Sequence, residues 1–479
     1  MSRNSVSRIS RTLVATALAV AFAGAAQAQV ASSHSAPKVI GPVQVNATPG
    51  AGLTKDYPHF GAEPNFDLTA SGYVEEEFFL EGQATRYETP SMQNAVAVSN
   101  GHPYKTRILV RKPSDPAKFN GVVIVEWDNV TSGYGIDLHW QYSREYLTRA
   151  GYIHVGVQAQ RVGVHNAPNG LKAWSPTRYG DLDVTAGGTV MDDSLSYDIF
   201  TQVARALKGP GKQELLGSMK PRAVLAVGQS QSAGRLTSYY NSVQPLHKAY
   251  DGFLVQVAGG PFRTDVKEPM IRVLSESEVN RSRVLARQPD SPTYRGWEVA
   301  GASHVDYWWV MFRHGMAVRD GMPPPNLACQ PEPASHVPLR FVLNAGYHHL
   351  AKWVLDKVQP PSATPIQVAS MDPFAIARDG HQIAQGGIRM AEVDVPTATN
   401  RGDQVGMSPG CPGNYGMHVP FGAQKLAQLY PSKASYVQAV EASVQRNVQQ
   451  GFVLPQDGEE IVRRARNSPV GTGRPVPIH

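Results

Sequence analysis

The sequence predicts an α/β fold: a mostly parallel central sheet with helices on both faces, a long insertion loop and a C-terminal extension. Two observations carry this. Continuous apolar runs of strand length, Gly121–Trp127 and Arg222–Gly228, are what strands covered on both faces require. Between such runs stand stretches with one apolar helical face. In Ser194–Leu207 that face is Leu195, Ile199, Phe200, Val203, Ala204 and Leu207. Strand and helix in alternation make parallel crossovers.

The elements follow in chain order. Residues 1–28 read as a secretory signal: Arg3, Arg8 and Arg11, then apolar Leu13–Ala23, then Ala26-Gln27-Ala28 as a small-x-small cleavage site. The apolar part is too short for a stable span; an uncleaved anchor is the alternative. No other apolar run reaches spanning length, so the expected location is periplasmic or secreted. The net charge of +6 includes those three arginines, and no basic block follows, so nucleic acid is not an expected partner. Residues 29–70, rich in Pro, Gly, Ser and Ala, form an extended lead-in.

The core is expected over 71–357. Its strands are Gly72–Gly82, with the mixed polarity of an edge, Tyr104–Lys112, Gly121–Trp127, Tyr152–Gln160, Arg222–Gly228, Tyr250–Gly260, Met270–Glu276 and Tyr294–Gly301. Its helices are Asp137–Gly151, Ser194–Leu207, Ala233–Val243 and Val337–Leu355. Arg161–Asp193 is a Gly/Pro-rich insertion, lid-like because structureless loops of this length are usually functional. Residues 358–479 are irregular to about 430 and then helical. Val437, Val440, Val444 and Val448 share a face that stops at Gly451, and a short helix follows Asp457 as its cap. This part is expected to pack on the core. The length of 479 residues fits one elaborated domain or two to three small ones. It does not set the oligomeric state.

The cysteines are Cys329 and Cys411. Export puts them in an oxidising compartment, so a disulfide closing a long loop is expected, with buried free thiols as the alternative.

Chemistry is concentrated in Val224–Leu236, VLAVGQSQSAGRL. A serine hydroxyl becomes a nucleophile when a base takes its proton, and a sharp strand-to-helix turn presents it. Such a turn needs small residues two before and two after the serine. Both Ser230 and Ser232 pass. The apolar run ends at Gly228, so the elbow follows at once and Ser230 is the nucleophile, with Ser232 in the first helical turn. Gly234 would permit close helix-to-strand packing. A phosphate loop is excluded by the missing Gly-Lys-Ser/Thr.

The acid and the histidine should follow in that order, after later strands. Ser275-Glu276-Ser277-Glu278 follows one strand and Ala302-Ser303-His304 the next. Glu278 lies further past the strand end, as such acids do. Glu276 stays open because strand ends are uncertain by two residues. Asp306 reads as a local cap. His139, His165, His314, His348 and His349 do not follow the last strand in the required order. Two backbone donors for a tetrahedral oxyanion are expected, from Gln231 and from the loop at Asn129. Trp127, Trp174, Trp308 and Trp309 either wall an acyl or alcohol pocket or pack the core. Arg161 and Arg178 in the insertion would meet an acidic substrate. No metal-ligand spacing such as His-Glu-x-x-His occurs, so neither metal nor cofactor is expected.

The stretches GQSQSAGRL, WEVAGASHVDY, VVIVEWDNV, VGVQAQRVGV, GYVEEEFFLEG and GFVLPQDGEEI, with the Ser-Glu-Ser-Glu, resemble the bacterial α/β-hydrolase-domain family of mostly secreted proteins, from about residue 60 to the end. The resemblance implies an α/β-hydrolase fold and Ser230 with His304 as the catalytic pair. The expected substrate is a small-molecule carboxylic ester. A peptidase, a lipase or a non-catalytic exported binding protein are the alternatives on the same fold.

Overall fold

The computed structural model describes residues 36–44, 59–63, 66–324, 332–403 and 414–472. The signal-like stretch, Cys329 and Cys411 lie outside them. The main sheet has nine strands: β1 (Lys38–Ile40), β2 (Tyr73–Glu88), β3 (Val96–Pro113), β4 (Val122–Trp127), β5 (Ile153–Val157), β6 (Ala223–Gln229), β7 (Gly252–Gln256), β8 (Met270–Ser275) and β9 (Tyr294–Val299). Their spatial order is β1-β2-β3-β5-β4-β6-β7-β8-β9. The β1–β2, β2–β3 and β3–β5 pairs are antiparallel and the rest parallel. The lead-in therefore supplies the edge strand β1, and Gly72–Gly82 opens a longer, internal strand.

The helices include α1 (Leu138–Arg149), α2 (Ser196–Lys208), α3 (Gln231–Ser238), α4 (Arg281–Leu285), α5 (Tyr307–Asp320), α6 (Leu339–Asp356), α7 (Lys433–Gln450) and α8 (Pro455–Asn467). All of β4 and β6 is buried, as double-sided coverage demands. Among the described residues no helix is long and apolar enough to cross a membrane.

One polar residue inside β4 has a structural task. Asp137 precedes α1 but makes no side-chain cap. Glu126 reaches across from β4 instead, accepting from His139 N at 2.8 Å and Trp140 N at 3.1 Å. Asp137 is turned toward Arg111. Around Arg111 and Arg107 lies a buried ionic cluster on the antiparallel half. Arg111 pairs with Glu75 at 2.6 Å, and Arg107 with Glu77 at 2.6 Å. Burial pushes the Glu75 carboxyl up, but Arg111 and His59 outweigh it and hold it well below the usual range.

The insertion is not structureless. It folds into helical turns at Arg161–His165, Leu171–Trp174 and Pro176–Tyr179. Trp174 Nε1 donates to Asp320 O at 2.9 Å and Tyr179 OH to Glu77 Oε1 at 2.7 Å. Arg178 pairs with Glu77, so it neutralises a buried acid rather than meeting a substrate.

Residues 358–430 also hold regular structure. Val368–Met371 and Phe374–Ile376 form a hairpin, and Ala398–Arg401 and Met417–Pro420 pair antiparallel. The last helix starts at Pro455, so Asp457 is not its cap. Its carboxylate accepts from Asn344 Nδ2 at 2.9 Å and pairs with Arg149, which ties α8 to α6 and α1.

Helix α5 has no counterpart in the sequence reading, because Tyr307–Asp320 lacks a clean apolar stripe. Its cap is Asp306, which accepts from Trp309 N at 2.9 Å and, through its other oxygen, from Leu339 N at 3.0 Å. One carboxylate thus fastens the starts of α5 and α6. Burial raises its pKa to about 6, against the pull of Trp309 N–H, Arg340 and Leu339 N–H. A raised carboxyl binds more protons folded than unfolded between about pH 4 and the folded value, so its contribution to stability falls as pH rises through that window. Thermal melts of the wild type and Asp306→Asn should show the wild type's relative stability falling between about pH 4 and pH 7. An unchanged difference would contradict the assignment.

Candidate active site

Ser230 stands between β6 and α3 with φ 57° and ψ −115°, a region costly for any residue with a Cβ. Three contacts impose it. Ser230 N donates to Gln256 O at 3.0 Å, which anchors the turn to β7. Ser232 Oγ accepts from Gln229 N and donates to Gln229 O, both at 3.0 Å. Gly228 closes the turn, since a Cβ there would stand 3.0 Å from Ser232 O. The Ser232 hydroxyl is thus fully buried inside the turn, while that of Ser230 faces out.

His304 Nε2 lies 2.8 Å from Ser230 Oγ, and His304 Nδ1 lies 2.6 Å from Glu278 Oε1. The second oxygen of Glu278 accepts from Ser275 N at 2.9 Å and Ser275 Oγ at 2.7 Å, in a capping box. The acid is thus aimed by the end of its own strand. His304 N donates to Ser277 Oγ at 3.0 Å, and that hydroxyl donates to Gly402 O at 2.6 Å. Gly402 must be glycine to come so close: a Cβ would stand 2.5 Å from Ser277 N and 2.6 Å from Ala302 O. Nothing local in the sequence points to this contact, because 125 residues separate its ends.

Glu276 is not brought to the histidine. It is buried, accepts from Gly301 N at 2.8 Å, and pairs with Arg378 at 2.7 Å. Burial raises its pKa, opposed by Arg378. Its neighbour two positions on points elsewhere because the chain turns through a short 3-10 helix at Glu276–Glu278.

Gln231 is the first residue of α3, so its N–H has no acceptor within the helix. The other expected donor needs correction. Asn129 N donates to Ile136 O at 2.8 Å in an isolated bridge, and its side chain donates to Gln229 O at 2.8 Å. The N–H groups of Asp128 and Thr131 are also held, by Val157 O at 3.2 Å and Asn129 Oδ1 at 2.9 Å. Val130 N is held most loosely, by Gln231 Oε1 at 3.3 Å. The same Gln231 amide donates to Gln160 Oε1 at 3.0 Å.

Gly234 also departs from expectation. It is exposed, and a Cβ there would meet nothing within 4 Å; the close approach belongs to Gly228. Trp127, Trp174 and Trp309 are buried, with indole N–H groups on Gln160, Asp320 O and Gln141, and act as core. Trp308 lies under the guanidinium of Arg340, 4.1 Å from the ring centre. Arg161 offers its backbone N–H to Asp193 Oδ1 at 2.6 Å. Among the described residues no group of three or more His, Cys, Asp or Glu is arranged to hold a metal ion.

The strand order, with a serine elbow after one parallel strand and acid and histidine after later ones, is that of an α/β hydrolase. The chain belongs to the alpha/beta hydrolase domain family, whose model matches residues 39–463. No curated protein matches it. Among solved structures it is similar to an alpha-beta serine hydrolase homologue from Coxiella burnetii, at 14% identity over 45% of this chain and 88% of that one, TM-score 0.28. It is also similar to oligopeptidase B from Trypanosoma brucei with covalently bound antipain, at 11% identity over 49% and 34%, TM-score 0.26. A third is EstA from Aspergillus niger, at 15% identity over 34% and 28%, TM-score 0.21.

The two glutamates should separate by what they hold. Glu276→Ala leaves Gly301 N unpaired and Arg378 with only the partly exposed Asp403, at 3.1 Å, as a carboxylate partner, so it should cost about 2 kcal/mol of stability, read as a lower melting temperature. A melt unchanged from wild type would show that the buried pair is dispensable.

Proposed function

We propose that this protein is a serine hydrolase of small-molecule carboxylic esters, acting through an acyl-enzyme. The observation that carries the reading is the unbroken relay from Ser230 Oγ through His304 to Glu278, at 2.8 and 2.6 Å, with the serine on a strained elbow. Ser230 Oγ attacks the ester carbonyl carbon while its proton passes to His304 Nε2. Glu278 holds the tautomer with the proton on Nδ1 and stabilises the imidazolium. The oxyanion is met by Gln231 N–H and by Val130 N–H, once the Gln231 amide oxygen gives way. Collapse of the intermediate breaks the carbon–oxygen bond, and His304 returns its proton to the leaving alcohol. Water, deprotonated by His304, then releases the acid and restores Ser230.

Export is part of this reading, supported by the basic, apolar and small-x-small order of residues 1–28. So is a Cys329–Cys411 disulfide, which an oxidising compartment would favour.

The test is labelling by a fluorophosphonate probe together with hydrolysis of chromogenic esters. Ser230→Ala should abolish labelling and lower kcat by about a thousandfold or more. Ser232→Ala should still label. Glu278→Gln should lower kcat by about two to four orders of magnitude, and Glu276→Gln far less. Folded protein that neither labels nor turns over an ester would favour a non-catalytic binding role.

A further inference from the structure

A cavity of ≈ 400 Å³ opens beside α3, within the range of small-molecule sites. Gly234, Thr237, Asn241, Gly259, Met92 and Arg283 are among its lining residues. Gly234 lies one helical turn after Ser230, about 6 Å along the axis. Its missing side chain leaves the wall open, and its backbone imposes no glycine conformation. A glycine that neither packs closely nor turns the chain fits a face reserved for something else.

The walls are built rather than loose. The helix widens into a π-turn at Tyr239–Val243, a distortion frequent at functional sites. Asn241 Nδ2 donates to Pro261 O at 2.9 Å, and its Oδ1 accepts from Arg263 N at 2.9 Å. Ser242 Oγ donates to Pro90 O at 3.1 Å, which clamps the loop at 89–92. Gly259 has φ +84°, and a Cβ there would stand 2.7 Å from Thr237 Oγ1, so the floor is pressed against α3.

Arg283, on α4, is the cation of this cavity. Its Nη1 donates to Gly259 O, and among the described residues no carboxylate forms an ion pair with it. Of the nearby arginines, Arg263 is paired with Asp265 at 2.7 Å and Arg287 with Glu298 at 2.7 Å, while Arg272 is buried against the rings of Phe262 and Tyr294. Burial and Arg272 both disfavour the charge on Arg283; Glu278 favours it, but that carboxylate is already engaged by His304 and Ser275. Arginine has five donors in a fork that matches a carboxylate, and most of this fork is unspent.

We propose that this cavity binds a carboxylate carried by the substrate, so that the preferred ester is an acidic one, a half-ester of a short dicarboxylic acid or an ester of a carboxylated alcohol, with Arg283 as its counter-ion. The proposal takes the hydrolase reading as given for the reacting ester. For the carboxylate it stands on the cavity itself.

Two matched pairs of esters test it. 4-Nitrophenyl hydrogen glutarate against 4-nitrophenyl butyrate places the charge on the acyl side; 4-acetoxybenzoate against phenyl acetate places it on the alcohol side. The wild type should favour the charged member of one pair by about tenfold or more in kcat/KM. In Arg283→Met that ratio should collapse toward one through KM, and Gly234→Leu, which fills the cavity from another element, should do the same. No preference in either pair, or a ratio that survives both substitutions, overturns the proposal. Calorimetric titration with glutarate separates it from the hydrolase reading. Binding to wild type and Ser230→Ala that Arg283→Met loses supports the carboxylate site even if no ester is turned over. Absence of binding together with turnover of neutral esters only overturns the site and leaves the hydrolase reading intact.

Discussion

The tight bend after β6 is the constraint on which the site depends. A residue with a side chain is held at a backbone angle that costs about 1–3 kcal/mol, and it stays there because its surroundings leave no alternative. β6 lies inside the sheet, bonded to β4 on one side and β7 on the other. Its last bonds extend past the strand, with Ser230 N on Gln256 O. The burial of β6 thus fixes the position of the half-buried Ser230 oxygen. Acid and histidine need only arrive at the same edge, which successive parallel strands ensure.

Much of this is legible in the amino-acid sequence. Covered strands announce themselves as unbroken apolar runs, and the order of serine, acid and histidine follows from the order of strands. The choice between Glu276 and Glu278 was not legible, because one short turn of 3-10 helix decides which side chain faces the histidine. The Asn129 donor was misread for a related reason: backbone N–H groups carry no sequence label, and a lone bridge to Ile136 takes that one. Gly234 misled because glycine in a helix can mean closeness or emptiness, and the letters do not distinguish them. Helix α5 was hidden by aromatic residues that stabilise it through contacts with other parts of the chain rather than through an apolar stripe.

The two halves of the sheet are held differently. On the parallel side, largely apolar strands are sealed by helices, and Glu126 inside β4 is spent on the start of α1. On the antiparallel side, Arg107 and Arg111 sit among Glu75, Glu77 and Asp137, and Arg178 extends the cluster into the insertion. Charges of this kind are costly to bury and costly to break. They give the insertion a specific seat, since Glu77 needs its tyrosine and arginine partners.

The contact between Ser277 and Gly402 bears on how such chains can be cut and recombined. Every strand of the large sheet is complete by Val299, so a shuffled library would naturally place a junction soon after α6. A chimera joined there would keep the whole scaffold of the site, yet the carbonyl that seats Ser277, and through it the backbone of His304, would come from a foreign parent. The C-terminal region is therefore inherited with the reaction centre rather than exchanged as a separate module.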